Sequence, residues 1–469
     1  MNECRAVFGG YERVVTTVME GDVAFFRFFL LKILLFCTIC LSCQIVYSED
    51  GSESLIFESE NQQTVNSDEQ KPMRYLLYEV NPGEGFNLRR DVYMRIANLA
   101  KALNAIEPWT LVLPPWGRIY HWKSPSQQTK LRWSQFFDVE SLNRHTPVIE
   151  FEDFKTLNGP EIDELYYLQN YKEGWGPDGW KEKMDFRECN QQSRYRQDSK
   201  GTTSSSGAGV WRGWFWGFDD VVSKKFNCIS IQAHAKYLIP FLTKKTQARS
   251  VMIDRAETLI HDVYGETDYW QARRSMVFAR PLTDVADQFR AKYLNSFDET
   301  DKTIFEDDWR TMQRRNRDAI GGPYLAVHLR RLDFLYSHKK SVPSLEGAAN
   351  RIQQLLKDLK LQTVFVATDA PDDEYGELKW FLKDYKVERF RPSSEELNQF
   401  QDGGIAIIDQ WICAHARYFI GSSQSTFSFR IHEEREILGF KPKTTFNSFC
   451  GDEQSEKQCE QPSEWKIVY

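Results

Sequence analysis

The chain has 469 residues, 41% of them hydrophobic and 27% charged. That is enough for one large or two medium domains with proper cores, and it excludes wholesale disorder and fibrous architectures. The net charge of −7 argues against a dedicated nucleic-acid binder while leaving room for local arginine clusters that grip a small anion.

The N-terminus carries the run VAFFRFFLLKILLFCTICLSCQIVY at residues 23–47, with Arg27 and Lys32 inside or just before its apolar part. The uninterrupted stretch after Lys32 is about 14 residues, short of the about 20 a membrane-spanning helix needs. Residues 1–48 therefore read as a signal peptide. A type II membrane anchor is the second reading, with Lys32 snorkelling. Either way the remaining chain enters the secretory lumen. Residues 49–71 are rich in Ser, Glu and Gln and read as a disordered leader.

Five of nine cysteines lie beyond the leader. An oxidising lumen predicts two bridges and one buried thiol. Cys413 sits in the apolar run IIDQWICAHA and is the free candidate. Cys450–Cys459 closes a polar loop, and Cys189–Cys228 brackets the Gly/Ser-rich stretch GTTSSSGAG at 201–209. No spacing matches a zinc site, and there is no Asn-x-Ser/Thr acceptor for N-glycosylation.

In chain order, RYLLYEV at 74–80 predicts a buried strand, followed by the turn-rich loop NPGEGFN at 81–87. A helix follows, with Val92, Ile96, Leu99 and Leu103 on one face. WTLVLPP at 109–115 predicts a second strand, completing the start of a Rossmann-like unit. Residues 150–284 look less regular. Within them the string VWRGWFWGF at 210–218 reads as a core plug rather than an acceptor-binding wall, after a mobile Gly/Ser loop.

A second alternation begins near Gly321. Strands are expected at 324–331, 363–369, 387–390 and 417–422, and helices at 345–360, 372–385, 405–416 and 424–438. Strands alternating with helices predict parallel sheets covered on both faces. The expected organisation is two facing Rossmann-like domains, 72–285 and 286–469, with a cleft between them.

Ligands of such sheets lie beyond the carboxyl ends of the strands. Glu84 falls there between Gly83 and Gly85 and is a candidate general base; the plain alternative is a loop carboxylate paired with Arg89 or Arg90. His328, Arg330 and Arg331 end the strand YLAVHLRR, and alternation puts His328 and Arg330 on one face. A guanidinium there suits phosphate oxygens; the alternative is pairing with Asp333. Gln424-Ser425-Thr426-Phe427 opens the last helix, whose N-terminus can hold phosphate, unless Ser423 or Ser425 is simply a cap. Asp409 and Asp369 are ambiguous acids, each a helix cap or an acceptor for a base or sugar. There is no G-x-G-x-x-G, P-loop, D-x-D or G-x-S-x-G motif. A sugar-nucleotide site without an evident metal therefore needs side-chain cations, with Arg330 the leading one.

The blocks YEVNPGEGFNLRRDVYMRIANLAKAL, GPYLAVHLRRLDF, VPSLEGAANRI, VFVATDAPDDE and GSSQSTFSFRIHEEREILGF resemble the GDP-fucose protein O-fucosyltransferases, in particular the type that modifies thrombospondin type 1 repeats. The resemblance runs from Arg74 to Tyr469. It implies a GT-B fold, residence in the endoplasmic reticulum and no required cofactor. It also implies inverting transfer of fucose from GDP-β-L-fucose to Ser or Thr of a folded thrombospondin repeat. By the same resemblance Glu84 is the base, within a loop of Gly83, Gly85, Phe86 and Asn87 that touches donor and acceptor. Arg330 is the phosphate-binding catalytic residue, flanked by His328 and Leu329 in the nucleotide site. Asp409, Thr426 and Phe427 are further donor contacts, and the family's bridges match Cys189–Cys228 and Cys450–Cys459. The competing expectations are an acceptor of the EGF-like type, or a catalytically inactive module that holds folded repeats.

Overall fold

The computed structural model describes residues 72–469 except 126–127, 175–178, 191–193, 199–208, 307, 313–315 and 456–457. The expected signal or anchor, the leader, and nearly all of the Gly/Ser loop lie outside the described residues. No helix among the described residues is long and apolar enough to cross a membrane.

The first sheet has nine strands: β1 (Arg74–Tyr78), β2 (Trp109–Leu113), β3 (Val148–Glu150), β4 (Glu161–Gln169), β5 (Lys183–Phe186), β6 (Arg196–Gln197), β7 (Trp211–Arg212), β8 (Val222–Gln232) and β9 (Ser250–Asp254). Their order is β3-β2-β1-β9-β4-β8-β7-β6, with β5 also on β8. The pairs from β3 to β8 are parallel, and the short strands at the edge are antiparallel. Parallel sheets are covered on both faces, which is why β1 is a continuous apolar run with Leu76 and Leu77 fully buried. Helix α1 (Phe86–Asn104) follows β1, and Val92, Ile96, Leu99 and Leu103 all enter the core as their spacing predicts. The helix starts earlier than expected, so Phe86 and Asn87 lie in its first turn rather than in a loop.

The middle region, read from sequence as irregular, supplies the centre and one flank of this sheet. β4 and β8 carry charged residues in their first halves, which hides their strand pattern. In the sheet these charges pair across strands, Lys224 with Asp163 at 2.8 Å and Lys225 with Glu164 at 3.0 Å. Phe215 and Trp216 of the aromatic string are buried with Phe151, Phe154 and Tyr195, as a core plug should be, while Trp214 is only partly buried and lines a cavity together with Trp216. Both bridges form as expected, and Cys413 is free and buried.

The second sheet is parallel, in the order β12-β11-β10-β13: β10 (Gly322–Leu329), β11 (Thr363–Thr368), β12 (Lys386–Glu388) and β13 (Ala416–Ile420). Its helices are α2 (Leu345–Leu359), α3 (Asp372–Phe381), α4 (Ser394–Ala414) and α5 (Thr426–Leu438). α4 begins eleven residues before the expected helix, from a capping box of Ser393 and Glu396, and kinks at Gln401.

One buried cluster runs through both sheets, and polar contacts pin the halves together near the strand ends. Asp402 accepts from the backbone N–H of Lys123 (2.6 Å) and Ser124 (3.0 Å). Buried Arg90 donates to Gln410 at 2.7 Å and stands 5.1 Å over the Phe278 ring. Arg430 on α5 meets Asp91 on α1 at 3.3 Å. These links hold the first turn of α1 and the first turns of α5 in one fixed relation.

Candidate active site

The loop between β1 and α1 is clamped from behind. Arg89 donates to the Glu84 carbonyl (3.1 Å), the Asn81 carbonyl (3.3 Å) and the Glu79 carboxylate (3.4 Å). The Glu84 N–H donates to the Asn81 carbonyl at 2.9 Å. Arg89 therefore engages the Glu84 backbone, not its side chain, and Arg90 turns inward to Gln410. The Glu84 carboxylate is half-buried and has no partner among the described residues, as a group that must accept a proton from a substrate requires.

Gly85 packs on a residue the sequence offered no signal for. A Cβ built on Gly85 would stand 3.2 Å from Cδ2 of His121. The Nδ1 of the same imidazole accepts from Nη2 of Arg330 at 3.0 Å. Partial desolvation first, and the Arg330 charge second, hold His121 below the usual histidine value, which keeps Nδ1 an acceptor. The base-bearing loop and Arg330 thus flank one ring.

Arg330 lies just past the end of β10, where its backbone N–H donates to Ser422 Oγ at 2.8 Å. Its guanidinium meets Asp333 at 2.6 Å and Asp369 at 3.2 Å. The pairing with Asp333 expected as the plain alternative is present, and it orients the fork while leaving the side chain 18% exposed. Burial raises the Asp369 carboxyl, against the opposing Arg330 charge. Arg331 faces away, to Glu374 (2.7 Å) and the Pro343 carbonyl (2.8 Å).

His328 is buried. Its Nδ1 meets Ser428 Oγ at 2.8 Å, and its ring stacks on Phe427 with centroids 4.3 Å apart. Burial, then the Arg330 and His432 charges, push it down to about 3, so it is a neutral platform rather than an acid or base. Phe427 and Thr426 open α5. Ser425 occupies the cap position but makes no side-chain cap bond, and Gln424 before it adopts a left-handed φ of 59°. Thr426 is exposed there. Uncapped first-turn N–H groups form an anion site by position.

Asp409 is on α4. Its Oδ1 is buried without a partner among the described residues. Burial pushes its carboxyl up to about 7, opposed only by Arg389, which donates to the Thr368 carbonyl at 3.1 Å at the end of β11. The side chains of three other expected contact residues are engaged within the protein. Leu329 is buried in the core of the second sheet. Phe86 packs against Trp116 and Phe136. Asn87 is held by Arg90 (3.2 Å) and Gln410 (2.9 Å). Among the described residues no group of His, Cys, Asp and Glu could hold a metal ion.

A carboxylate without a partner among the described residues on one side, with an arginine and an uncapped helix N-terminus on the other, has the chemistry to serve group transfer from a phosphate-bearing donor. On two Rossmann-like sheets this is the arrangement of a GT-B-like glycosyltransferase. The family model described as GDP-fucose protein O-fucosyltransferase matches residues 75–438. GDP-fucose protein O-fucosyltransferase 2 of Homo sapiens is 56% identical over 398 residues, covering 84% of this chain and 90% of that protein. The protein of the same name from Caenorhabditis elegans is 49% identical over 432 residues, covering 91% and 96%. The crystal structure of POFUT1 in complex with GDP-fucose superimposes with a TM-score of 0.52 at 15% identity, over 82% of this chain and 99% of that one, which places the fold as GT-B-like. The chain belongs to the GDP-fucose protein O-fucosyltransferase family.

Proposed function

We propose that this protein transfers L-fucose from GDP-β-L-fucose, with inversion, to Ser or Thr hydroxyls of folded thrombospondin type 1 repeats in the endoplasmic reticulum lumen. Fucosyl transfer to protein follows from the family. The acceptor reading rests on the blocks NPGEGFNLRRD and HLRR and on the relatives named above. The luminal reading is supported by the two bridges, which need an oxidising compartment.

The observation that carries the mechanism is the flanking of His121 by the Glu84 loop and Arg330. In the proposed step the Glu84 carboxylate takes the proton of the acceptor hydroxyl as its oxygen attacks the sugar's anomeric carbon. The bond from that carbon to the β-phosphate oxygen breaks on the opposite face, and its electron pair leaves with GDP. Arg330 and the N–H groups opening α5 neutralise the charge that develops there. His328 and Phe427 supply a flat neutral wall, and Asp409 a buried acceptor for donor hydroxyl or N–H groups.

Mass spectrometry of a folded thrombospondin repeat incubated with the protein and GDP-fucose tests this reading. The expected result is one added deoxyhexose on the folded repeat and none after reductive unfolding. Modification of an EGF-like repeat alone would refute the acceptor assignment. Binding of the repeat without any transfer would favour the inactive holding module.

A further inference from the structure

We propose that a cavity in the N-terminal half, beside the base-bearing loop, is a subsite for an acidic side chain of the acceptor protein; this rests on the reading that the acceptor is a folded protein. The cavity measures about 270 Å³ and reaches Pro82, two residues before Glu84. That is below the about 300–1,000 Å³ of ordinary ligand pockets and suits a side chain rather than a sugar nucleotide. Every lining residue comes from the N-terminal half, from loops of the first sheet and from α1, whereas the groups proposed to face the donor phosphates come from the C-terminal half. An occupant would therefore approach from the hydroxyl side of the reaction.

The walls are aromatic and cationic. Trp116, Trp214 and Trp216 line the cavity with Arg89, Arg118, Lys130 and Arg194, and Glu79 is the one acid among them. Glu79 lies 3.4 Å from Arg89, its Oε2 is buried without a partner among the described residues, and burial raises its carboxyl to about 7, so it carries only part of a full opposing charge near neutral pH. Arg194 stands 3.9 Å from Asp254. Arg118 and Lys130 are exposed and have no carboxylate partner within ion-pair distance among the described residues. They are held instead by aromatic faces, Arg118 4.0 Å from the Trp214 centroid and Lys130 4.2 Å from that of Phe218. Each occurs at a left-handed backbone position, φ 49° and 56°. The indole N–H groups of Trp116 and Trp216 add two buried donors with no acceptor among the described residues. Two fixed cations and spare donors beside apolar walls fit a carboxylate on a short aliphatic stem. A cationic side chain is repelled by the same groups.

The test measures transfer by the full protein and by Arg118→Glu/Lys130→Glu, with donor hydrolysis in the absence of acceptor as the parallel readout. The expected result is a rise of about tenfold or more in KM for the folded repeat, with GDP-fucose affinity and hydrolysis unchanged. Arg118→Gln/Lys130→Gln should fall between. Surface Asp and Glu residues of the repeat are then replaced singly by Asn or Gln. One replacement should reproduce the KM rise on the wild-type enzyme and add nothing on the charge-reversed one. An unchanged acceptor KM after charge reversal overturns the proposal. So does wild-type behaviour of every amide-substituted repeat, which would indicate a neutral guest. A wild-type enzyme that leaves the thrombospondin repeat unmodified overturns the acceptor reading instead, and the same comparison is then read with an EGF-like repeat.

Discussion

His121 and Arg330, 209 positions apart, are joined by a 3.0 Å hydrogen bond from Nη2 to Nδ1. The far side of the same imidazole lies against Gly85, next to Glu84. The ring thus stands between the loop that carries the proposed base and the arginine proposed to face the donor phosphate. Replacing His121 by Ala should leave the fold intact, because the side chain is exposed. It should lower kcat on the order of tenfold to a hundredfold through loss of alignment, with little change in donor affinity. Stopped-assay kinetics alongside calorimetric titration of GDP-fucose would separate the two effects, and an equal rise in donor Kd would contradict a positioning role.

Arg330 and Arg331 are adjacent but spend their charge differently. Arg330→Ala removes the group proposed to face the donor phosphate, and kcat should fall by about 10²–10³ with the melting temperature nearly unchanged. Arg331 is buried and ties the strand end to Glu374 and the Pro343 carbonyl. Arg331→Ala should cost about 2 kcal/mol of stability from its charged hydrogen bonds. Denaturant titration and turnover measured on both variants should show this crossed pattern; equal losses of turnover would contradict the facing of the two side chains.

Among the described residues the Glu84 carboxylate has no partner, so Glu84→Gln should fold and bind GDP-fucose as the wild type does. Transfer should be lost, because the amide cannot take the hydroxyl proton. Calorimetry for binding and mass spectrometry for product would check this, and retained transfer would remove Glu84 as the base.

The Asp409 carboxyl gives a pH signature in the ligand-free protein. Burial raises it from an ordinary 3.8 to about 7 in the fold. A group raised on folding contributes fully below its unfolded value, and that contribution is lost as pH rises through the folded one. Wild type should therefore lose stability from this group between about pH 4 and 7, whereas Asp409→Asn should not. Melting temperatures at pH 5 and pH 8 should show the variant gaining more on wild type at the higher pH. GDP-fucose affinity should fall in the variant at both.

The reach of sequence reading differed between the halves for a physical reason. Val92, Ile96, Leu99 and Leu103 announce α1 because helical spacing is local. β10, β11 and β13 announce themselves because a strand buried on both faces is an unbroken apolar run. β4 and β8 were missed because their charges are matched only by each other across the sheet. Phe86 and Leu329 are expected at the ligand site by family resemblance alone; the start of α1 and the strand pleat turn both side chains inward to the core, which no local pattern announces.

The amino-acid order by itself determined which groups were available: a carboxylate between glycines after the first strand, an arginine after a buried strand and a helix opening with free N–H groups. Each depends on a few consecutive residues and on strand ends, where backbone donors and side chains are necessarily released. Only the tertiary structure decided that His121 stands between Gly85 and Arg330, and that Arg118 and Lys130 line a cavity with Trp214. Such contacts join segments that no periodicity relates. The first needs the two sheets packed together through Arg90–Gln410 and Asp91–Arg430, and the second needs the segments around Trp116 and Trp214 to meet within the N-terminal half.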